Sequence, residues 1–261
     1  MKLLSLAVGW LLFAWPAWGA QGPPTGASPP AASRADQEEK PFRDPFASDN
    51  TPGEAKAKIS DPLEPMNRAF FRFNDKFYFW VLKPAAKGYT HVLPQPARVS
   101  VASFSANIKY PVRLVNNLLE GKFKSAGLET VRFVVNSTVG VAGLFDPAAD
   151  WKLEAHRADF DQTLGFYGVR PGIYFDWPLL GASSARGTAG LVADAVLSPW
   201  DYIDGLGVEL GVPAFDFLNT ASLRLGEYES FKKATLDPYV AMRSAYFDNR
   251  AAAVDKSRGK E

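Results

Sequence analysis

The sequence contains no cysteine, only two histidines (His91 and His156), and almost no net charge, with 29 Lys and Arg set against 28 Asp and Glu. Without cysteine there is no disulfide framework, no thiol nucleophile and no thiolate metal site. Two histidines leave little for zinc chemistry or acid–base catalysis. A formal charge of +1 over 261 residues supplies none of the basic excess that marks nucleic-acid partners. After residue 20 no apolar run reaches the roughly 20 residues needed to span a bilayer. The longest uncharged run, Phe133–Phe145, is thirteen residues, which suits a buried helix or a segment dipping partway into lipid. These absences argue against most enzyme classes, and the expectation is no catalytic residue, no cofactor and no metal.

Aromatic residues are what the chain has in quantity: seven Trp, nine Tyr and nineteen Phe, against only 22% charged residues. Residues 1–19 read as a signal peptide. Lys2 forms the positive start, Leu3–Phe13 the apolar stretch, and Ala17-Trp18-Gly19 a small-residue cleavage site before Ala20. An uncleaved anchor with Trp15 and Trp18 at an interface is the alternative, and either way the rest of the chain leaves the cytoplasm. Residues 20–60 are expected to be a disordered, Pro-rich tether. Between 21 and 60 there are seven prolines, with Ile59 the only Val, Leu or Ile, too little apolar surface to offset the entropy of ordering. One folded domain is expected over 61–250, followed by a disordered tail over 251–261.

The punctuation of that domain is helical. Asp61-Pro62 with Glu64 resembles an N-cap, a first-turn proline and a capping-box carboxylate. A second helix is expected from Pro111 to Gly121. A third starts at Ser125 and sets Leu128, Val131, Val135, Val139 and Ala142 on one face. Thr188–Leu197, Thr220–Leu236 and a helix opened by Asp237-Pro238 and ending near Asn249 complete the set. Asp146–Ser184, rich in Gly, Pro and aromatics, reads as long loops with at most a short extended piece. The fold class is mostly α.

Met66–Lys83 carries the most information, with seven aromatics among residues 70–80. At 100° per residue, Met66, Phe70, Phe73, Phe77, Trp80 and Val81 fall in a sector roughly 100° wide, and Phe71, Tyr78 and Leu82 widen the apolar arc to roughly 200°. Arg68, Arg72, Asp75, Lys76 and Lys83 fill most of the rest, with Phe79 among them. A core helix with a charged outer face is one reading. The width of the arc favours the other, a helix lying in a membrane interface. There Phe70, Phe71, Phe73, Phe77, Tyr78, Phe79 and Trp80 meet acyl chains while Arg68, Arg72 and Lys76 reach headgroups. Phe70, Phe73, Phe77 and Trp80 face the core and leave Phe71, Tyr78 and Phe79 to lipid, or the reverse; the pattern alone does not choose.

Other motifs fall short. Gly181-Ala182-Ser183-Ser184-Ala185 approaches a serine nucleophile elbow, but Ala replaces the last Gly, no strand is evident before it, and both histidines precede Ser183. Asp146, Asp150, Glu154, His156, Asp159 and Asp161 match no ligand loop and read as a solvated acidic stretch balanced by Lys152 and Arg157. Gly205-Leu206-Gly207 and Gly211 lack nucleotide-loop spacing. The basic residues of Phe123–Arg132 read as a solvated helix face rather than a phosphate site.

DPLEPMNRAFFRFND (61–75), LPQPAR (93–98), Asn116-Asn117-Leu118-Leu119-Glu120-Gly121, RFVVNSTVGVAGLFDPA (132–148), DQTLGFYGVRPGIY (161–174) and DPYVAMRSAYF (237–247) occur in this order. Together they resemble the MlaA (VacJ-like) outer-membrane lipoprotein family over roughly Asp61–Arg250. The resemblance implies a single ring-shaped helical domain with amphipathic, membrane-embedded helices around a central channel. It implies a non-enzymatic transporter at the periplasmic face of the outer membrane that takes misplaced phospholipids from the outer leaflet. The implied partners are phospholipids, a trimeric porin and a soluble periplasmic carrier, with no nucleic acid. Phe73 and Asn74, inside the first motif, are implied in the conformation of the channel, and a helical hairpin near Thr188–Leu218 in its mouth.

The chain departs from the family pattern in having no lipobox cysteine, so the Met66–Lys83 helix, a retained N-terminus or a porin is expected to replace the acyl anchor. It also has Asp161 where Gly is usual, Ile173 where Pro is usual after Gly172, and Gly187 where Asp is usual after Arg186. A structural envelope protein that binds membrane or porin without moving lipid, and a periplasmic hydrolase acting through Ser183, are the competing readings.

Overall fold

In the computed structural model, which describes residues 61–259 except Asp204, helices follow one another around a single β-hairpin. The expected signal peptide and Pro-rich tether lie outside the described residues. Helix α1 (Glu64–Phe77) passes through a π-helical turn (Tyr78–Leu82) into α2 (Lys83–Val92). Then come α3 (Gln95–Ile108), α4 (Tyr110–Leu119), α5 (Phe123–Thr138), α6 (Pro147–Asp150) and α7 (Phe160–Phe166). Strands β1 (Tyr174–Trp177) and β2 (Gly181–Ser184) pair antiparallel, with Tyr174 opposite Ser184. Helix α8 (Ala185–Val196), a 3-10 turn (Pro199–Tyr202), α9 (Leu206–Leu223), α10 (Glu227–Ala234) and α11 (Pro238–Ser257) complete the chain.

The helix starts follow side-chain chemistry. Asp146, Asp159, Ser184 and Asp237 each accept backbone N–H groups at the starts of α6, α7, α8 and α11. The π turn has a local cause in Pro84. In a regular helix its ring would press on the carbonyl four residues back, so the turn before it widens, and the Lys83 N–H donates to the Tyr78 carbonyl five residues away. This is why the aromatic helix continues to Val92.

Several sequence expectations are corrected. Asp61 does not cap α1. Its carboxylate instead accepts from Asn67 Nδ2 at 2.8 Å, from Arg243 at 2.7 Å and from the Tyr239 hydroxyl, tying the start of the domain to α11. Helices α2 and α3 occupy a stretch for which no helix was expected, with Pro84 and Pro96 in the first turns where proline is tolerated. The helix expected over Thr220–Leu236 is two, broken at Gly226, whose φ of 95° ends regular helix. Helix α11 runs to Ser257, into the expected tail, because Val254 is buried and Ser257 donates to the Glu120 carboxylate at 2.5 Å.

The apolar core is small: Tyr174, Tyr239, Tyr246 and Ala182, with Phe71, Val240, Met242 and Phe247 packed against them. Its rings meet edge to face, Tyr174 and Tyr239 at 6.1 Å and 74°. Most of the remaining interior is polar. The wholly buried side chains include Glu129, Asn67, Asn116, Asn117 and Asn219. Helices α7 and α8 approach backbone to backbone at Gly190, where a methyl group would meet Asp161 N at 2.6 Å.

Candidate functional site

Helix α1 and the π turn bury Asn67, Asn74, Tyr78 and Leu82, with Phe71 packed on the core beside them. These positions follow the helical repeat, so they form the inward stripe. The opposite face carries Phe73, half exposed, and Trp80, 74% exposed, with Met66 and Val81 also exposed and Phe70 and Phe77 at intermediate depth. The orientation left open by the pattern is therefore settled: asparagines face in and most of the rings face out. Phe71 and Tyr78 are corrections to the expected lipid-contacting set. Tyr78 is buried, donates to Glu229 at 2.8 Å and stacks edge-on against Tyr228 at 4.8 Å. Phe79 sits between, against the Tyr78 and Tyr228 rings and near the Lys83 and Lys232 ammonium groups.

The basic trio separates in the same way. Arg68 is engaged by Glu64 at 2.7 Å and Asp237 at 2.9 Å and lies over the Tyr239 ring, so it serves the fold rather than a headgroup. Arg72 is exposed, and Lys76 lies exposed over the Trp80 ring.

Helix α5 repeats the inversion. The apolar face of Leu128, Val131, Val135 and Val139 does not form the core: Val131 and Val139 are exposed, as is Val134, and Leu128 and Val135 are of intermediate depth. Ala126, Glu129, Arg132 and Asn136 are buried instead, and Ala142 falls beyond the helix in a turn of positive φ. Phe123, at the start of α5, is 73% exposed. Among the described residues no helix is long and apolar enough to cross a membrane.

The buried asparagines act as connectors. Asn67 donates to the Tyr174 carbonyl at 3.0 Å and accepts the Asp176 N–H at 3.0 Å, covering the free edge of β1 as a neighbouring strand would. Asn74 donates to the Asp176 carboxylate and the Trp177 carbonyl, and accepts the Leu179 N–H at 2.7 Å in the hairpin turn. Asn116 joins α4 to Asp194 on α8 and Thr163 on α7. Burial pushes the Asp176 and Asp194 carboxyls up to about 7, Asn74 opposing it at the first, and the Phe160 N–H and then Asn116 at the second.

A raised carboxyl pKa keeps the folded state protonated where the unfolded chain has ionised. Between about pH 4 and 7 stability should therefore fall as pH rises, by at most about 1.4 kcal/mol per unit for each carboxyl. Denaturant midpoints are expected to be higher at pH 5 than at pH 7.5, and Asp176→Asn to remove about half of that difference. An unchanged pH profile for the variant would mean that this carboxyl is already ionised in the fold.

A cavity of about 250 Å³ opens between α3, α4 and α5. Val99, Ala102, Ala106 and Phe133 form an apolar part of its wall; Arg113, Glu129, Arg132, Asp146 and Arg157 form a charged part. Arg113 pairs with Glu129 at 2.5 Å, and Arg132 with Asp146 at 2.9 Å. The acidic stretch thus breaks up into structural roles. Asp146 and Asp159 cap helices, and Asp161 pairs with Arg186 at 2.6 Å. No metal-binding group of acids and histidines occurs among the described residues. Ser183 lies on the short strand β2, but it is buried and its hydroxyl contacts Thr188 and Ser184 rather than a histidine.

The model of the MlaA lipoprotein family matches residues 59–253. The chain belongs to the MlaA lipoprotein family. It is 34% identical over 198 residues to the intermembrane phospholipid transport system lipoprotein MlaA of Haemophilus influenzae, covering 73% of this chain and 77% of that one. The protein of the same name from Escherichia coli K12 is 31% identical over 194 residues, 72% of this chain and 76% of that one. An uncharacterized protein of Rickettsia felis is 34% identical over 76% of this chain and 79% of its own. A structure solved to explain the structural basis for maintenance of bacterial outer membrane lipid asymmetry superimposes with a TM-score of 0.66 at 30% identity, over 75% of this chain and 99% of that one. Within this MlaA family member, Asn67 and Asn74 of the first motif, Asn116, Asn117 and Glu120 of the third, and Arg132 and Asn136 of the fourth all point inward. Sequence reasoning passed over all of these but Asn74. For the asparagines the signal is the residue type itself, a poor helix former recurring inside helices; Glu120 and Arg132 carry no such mark.

Proposed function

We propose that this protein is a non-enzymatic phospholipid transporter at the periplasmic face of the outer membrane, removing misplaced lipid from the outer leaflet and passing it to a soluble periplasmic carrier. One observation carries the reading: rings and valines face outward on α1 and α5 while asparagines and ion pairs face inward. In water that arrangement costs free energy on both counts; in an acyl environment the outward rings are stabilised and the inward polar groups pair with one another. A phospholipid needs a polar path for its headgroup and an apolar route for its tails, and a domain of this polarity supplies both. The names of the Haemophilus and Escherichia relatives support phospholipid as cargo. A ring around a channel, with a trimeric porin beside it, is the architecture we infer for this activity.

The test is outer-leaflet phospholipid in cells lacking the protein, read as acylation of lipopolysaccharide by an outer-leaflet acyltransferase. A rise reversed by re-expression is expected. No rise, with the protein still fractionating to the outer membrane, would replace transport with the structural role.

A further inference from the structure

The cavity between α3, α4 and α5 holds one cation more than its carboxylates neutralise. Glu129 is fully used: Oε2 accepts from Arg113 at 2.5 Å and Oε1 from the His156 N–H at 2.6 Å. Asp146 is used as well, accepting from Arg132 at 2.9 and 3.0 Å, from Asn136 at 2.8 Å and from the Ala149 N–H at 3.1 Å. Arg132 also donates to the Leu153 carbonyl. Arg157 remains. It lines the cavity, and among the described residues no carboxylate pairs with it and no acceptor takes its hydrogens. Burial, then the like charge of Arg113, with Arg132 and Arg224 adding to it and Glu129 opposing, holds its guanidinium below the ordinary value.

An arginine so placed lacks one thing, an anion. Its fork of N–H groups matches the oxygens of a phosphate ester better than a point charge would. The volume decides how much of a ligand fits. At about 250 Å³ the cavity falls below the roughly 300–1,000 Å³ of sites that enclose a whole drug-sized molecule, so it takes a headgroup and not two acyl chains. The apolar wall of Val99, Ala102, Ala106 and Phe133 suits the glycerol end next to the phosphate.

We propose that Arg157 is the phosphate-recognising residue of this cavity, binding the phosphodiester of a glycerophospholipid headgroup. Arg113 and Arg132 are held back by Glu129 and Asp146 and supply positive field rather than direct contacts. The assignment rests on the transport reading above and gives it a station for the headgroup.

The full chain in a neutral detergent is titrated calorimetrically with dihexanoylphosphatidylglycerol, dihexanoylglycerol and inorganic phosphate. Wild type is expected to bind the phospholipid roughly tenfold more tightly than the phosphate-free diacylglycerol, and more weakly as salt rises. Arg157→Gln should abolish that preference, and Arg157→Lys should restore about a third of it. Ala155→Asp, which adds a carboxylate to an exposed position on the same wall, should also abolish it while leaving Arg157 in place. Phospholipid binding by a folded Arg157→Gln equal to wild type overturns the proposal. Should that variant fail to fold, unchanged binding by Ala155→Asp overturns it. Inorganic phosphate binding as tightly as the phospholipid, and competing with it, would make the ligand a free anion and overturn the headgroup assignment. The transport reading fails separately: if deleting the protein leaves outer-leaflet phospholipid unchanged, transport is wrong. If deletion raises it and Arg157→Gln restores it fully with unaltered binding, only the role of Arg157 is wrong.

Discussion

Replacing Arg186 by alanine is expected to lower the unfolding free energy by about 3 kcal/mol, the low end of the cost of removing one partner of a buried ion pair, because Arg250 stays beside Asp161. Arg186 and Asp161 are both nearly inaccessible, 2.6 Å apart, and Arg186 also donates to the Val169 carbonyl at 3.0 Å. Arg250 approaches the other Asp161 oxygen at 3.2 Å. This pair sits where α7 and α8 pack backbone to backbone, with Gly165 and Gly190 beside it. Lysine should rescue little, because one ammonium cannot reach both the carboxylate and the carbonyl. Guanidinium unfolding of Arg186→Ala, Asp161→Asn and the double variant measures the coupling: the double variant should cost clearly less than the sum of the two singles. Additive losses would mean that the two groups do not depend on one another.

Two of the departures expected from the family resemblance lie at or beside this pair. Asp161 stands where Gly is usual, and Gly187 where Asp is usual after the arginine. The acid absent at 187 is present at 161, on the facing helix. The space at 187 is occupied from the other side: a methyl group there would meet the Tyr246 hydroxyl at 2.5 Å, and that hydroxyl donates to Ser184 at 3.1 Å.

Much of the secondary structure was legible because it is written in local chemistry. Asp237-Pro238 opens α11, Gly121 closes the turn after α4, and the 3.6-residue pattern of α5 is plain. Inside and outside were not legible. Periodicity says which residues share a face but is silent about what that face meets. Val131, Val135 and Val139 look like a core stripe only if water is assumed outside. Once Glu129, Arg132 and Asn136 find partners in Arg113, Asp146 and the Ala148 N–H, they become the inner face and the valines the outer. The cavity was less visible still. Arg113, Arg132 and Arg157 come from three separate segments, and each alone reads as an ordinary surface cation. Only the fold shows that two of them have acids and one has none.

The same inversion predicts that Phe73→Ala, Trp80→Ala and Phe123→Ala combined will release the protein from membranes at a smaller cost to its stability. About half of Phe73 and about a quarter each of Trp80 and Phe123 are buried against the described domain, so truncating all three should lower the unfolding free energy by about 1.5–3 kcal/mol. In an acyl environment each ring contributes about 1.5–3 kcal/mol when fully buried, and the exposed fractions of these three reduce that to about 3–6 kcal/mol together. Flotation with vesicles of phosphatidylethanolamine and phosphatidylglycerol should then show a drop of roughly two to four decades in partitioning. Phe71→Ala is the counter-experiment. Its ring meets Tyr239 edge-on at 5.8 Å inside the tyrosine core, so it should lose stability and keep its membrane affinity. If the triple variant instead unfolded early and still floated, the outward rings would be packing against protein, and the polar interior would need a different cause than lipid outside it.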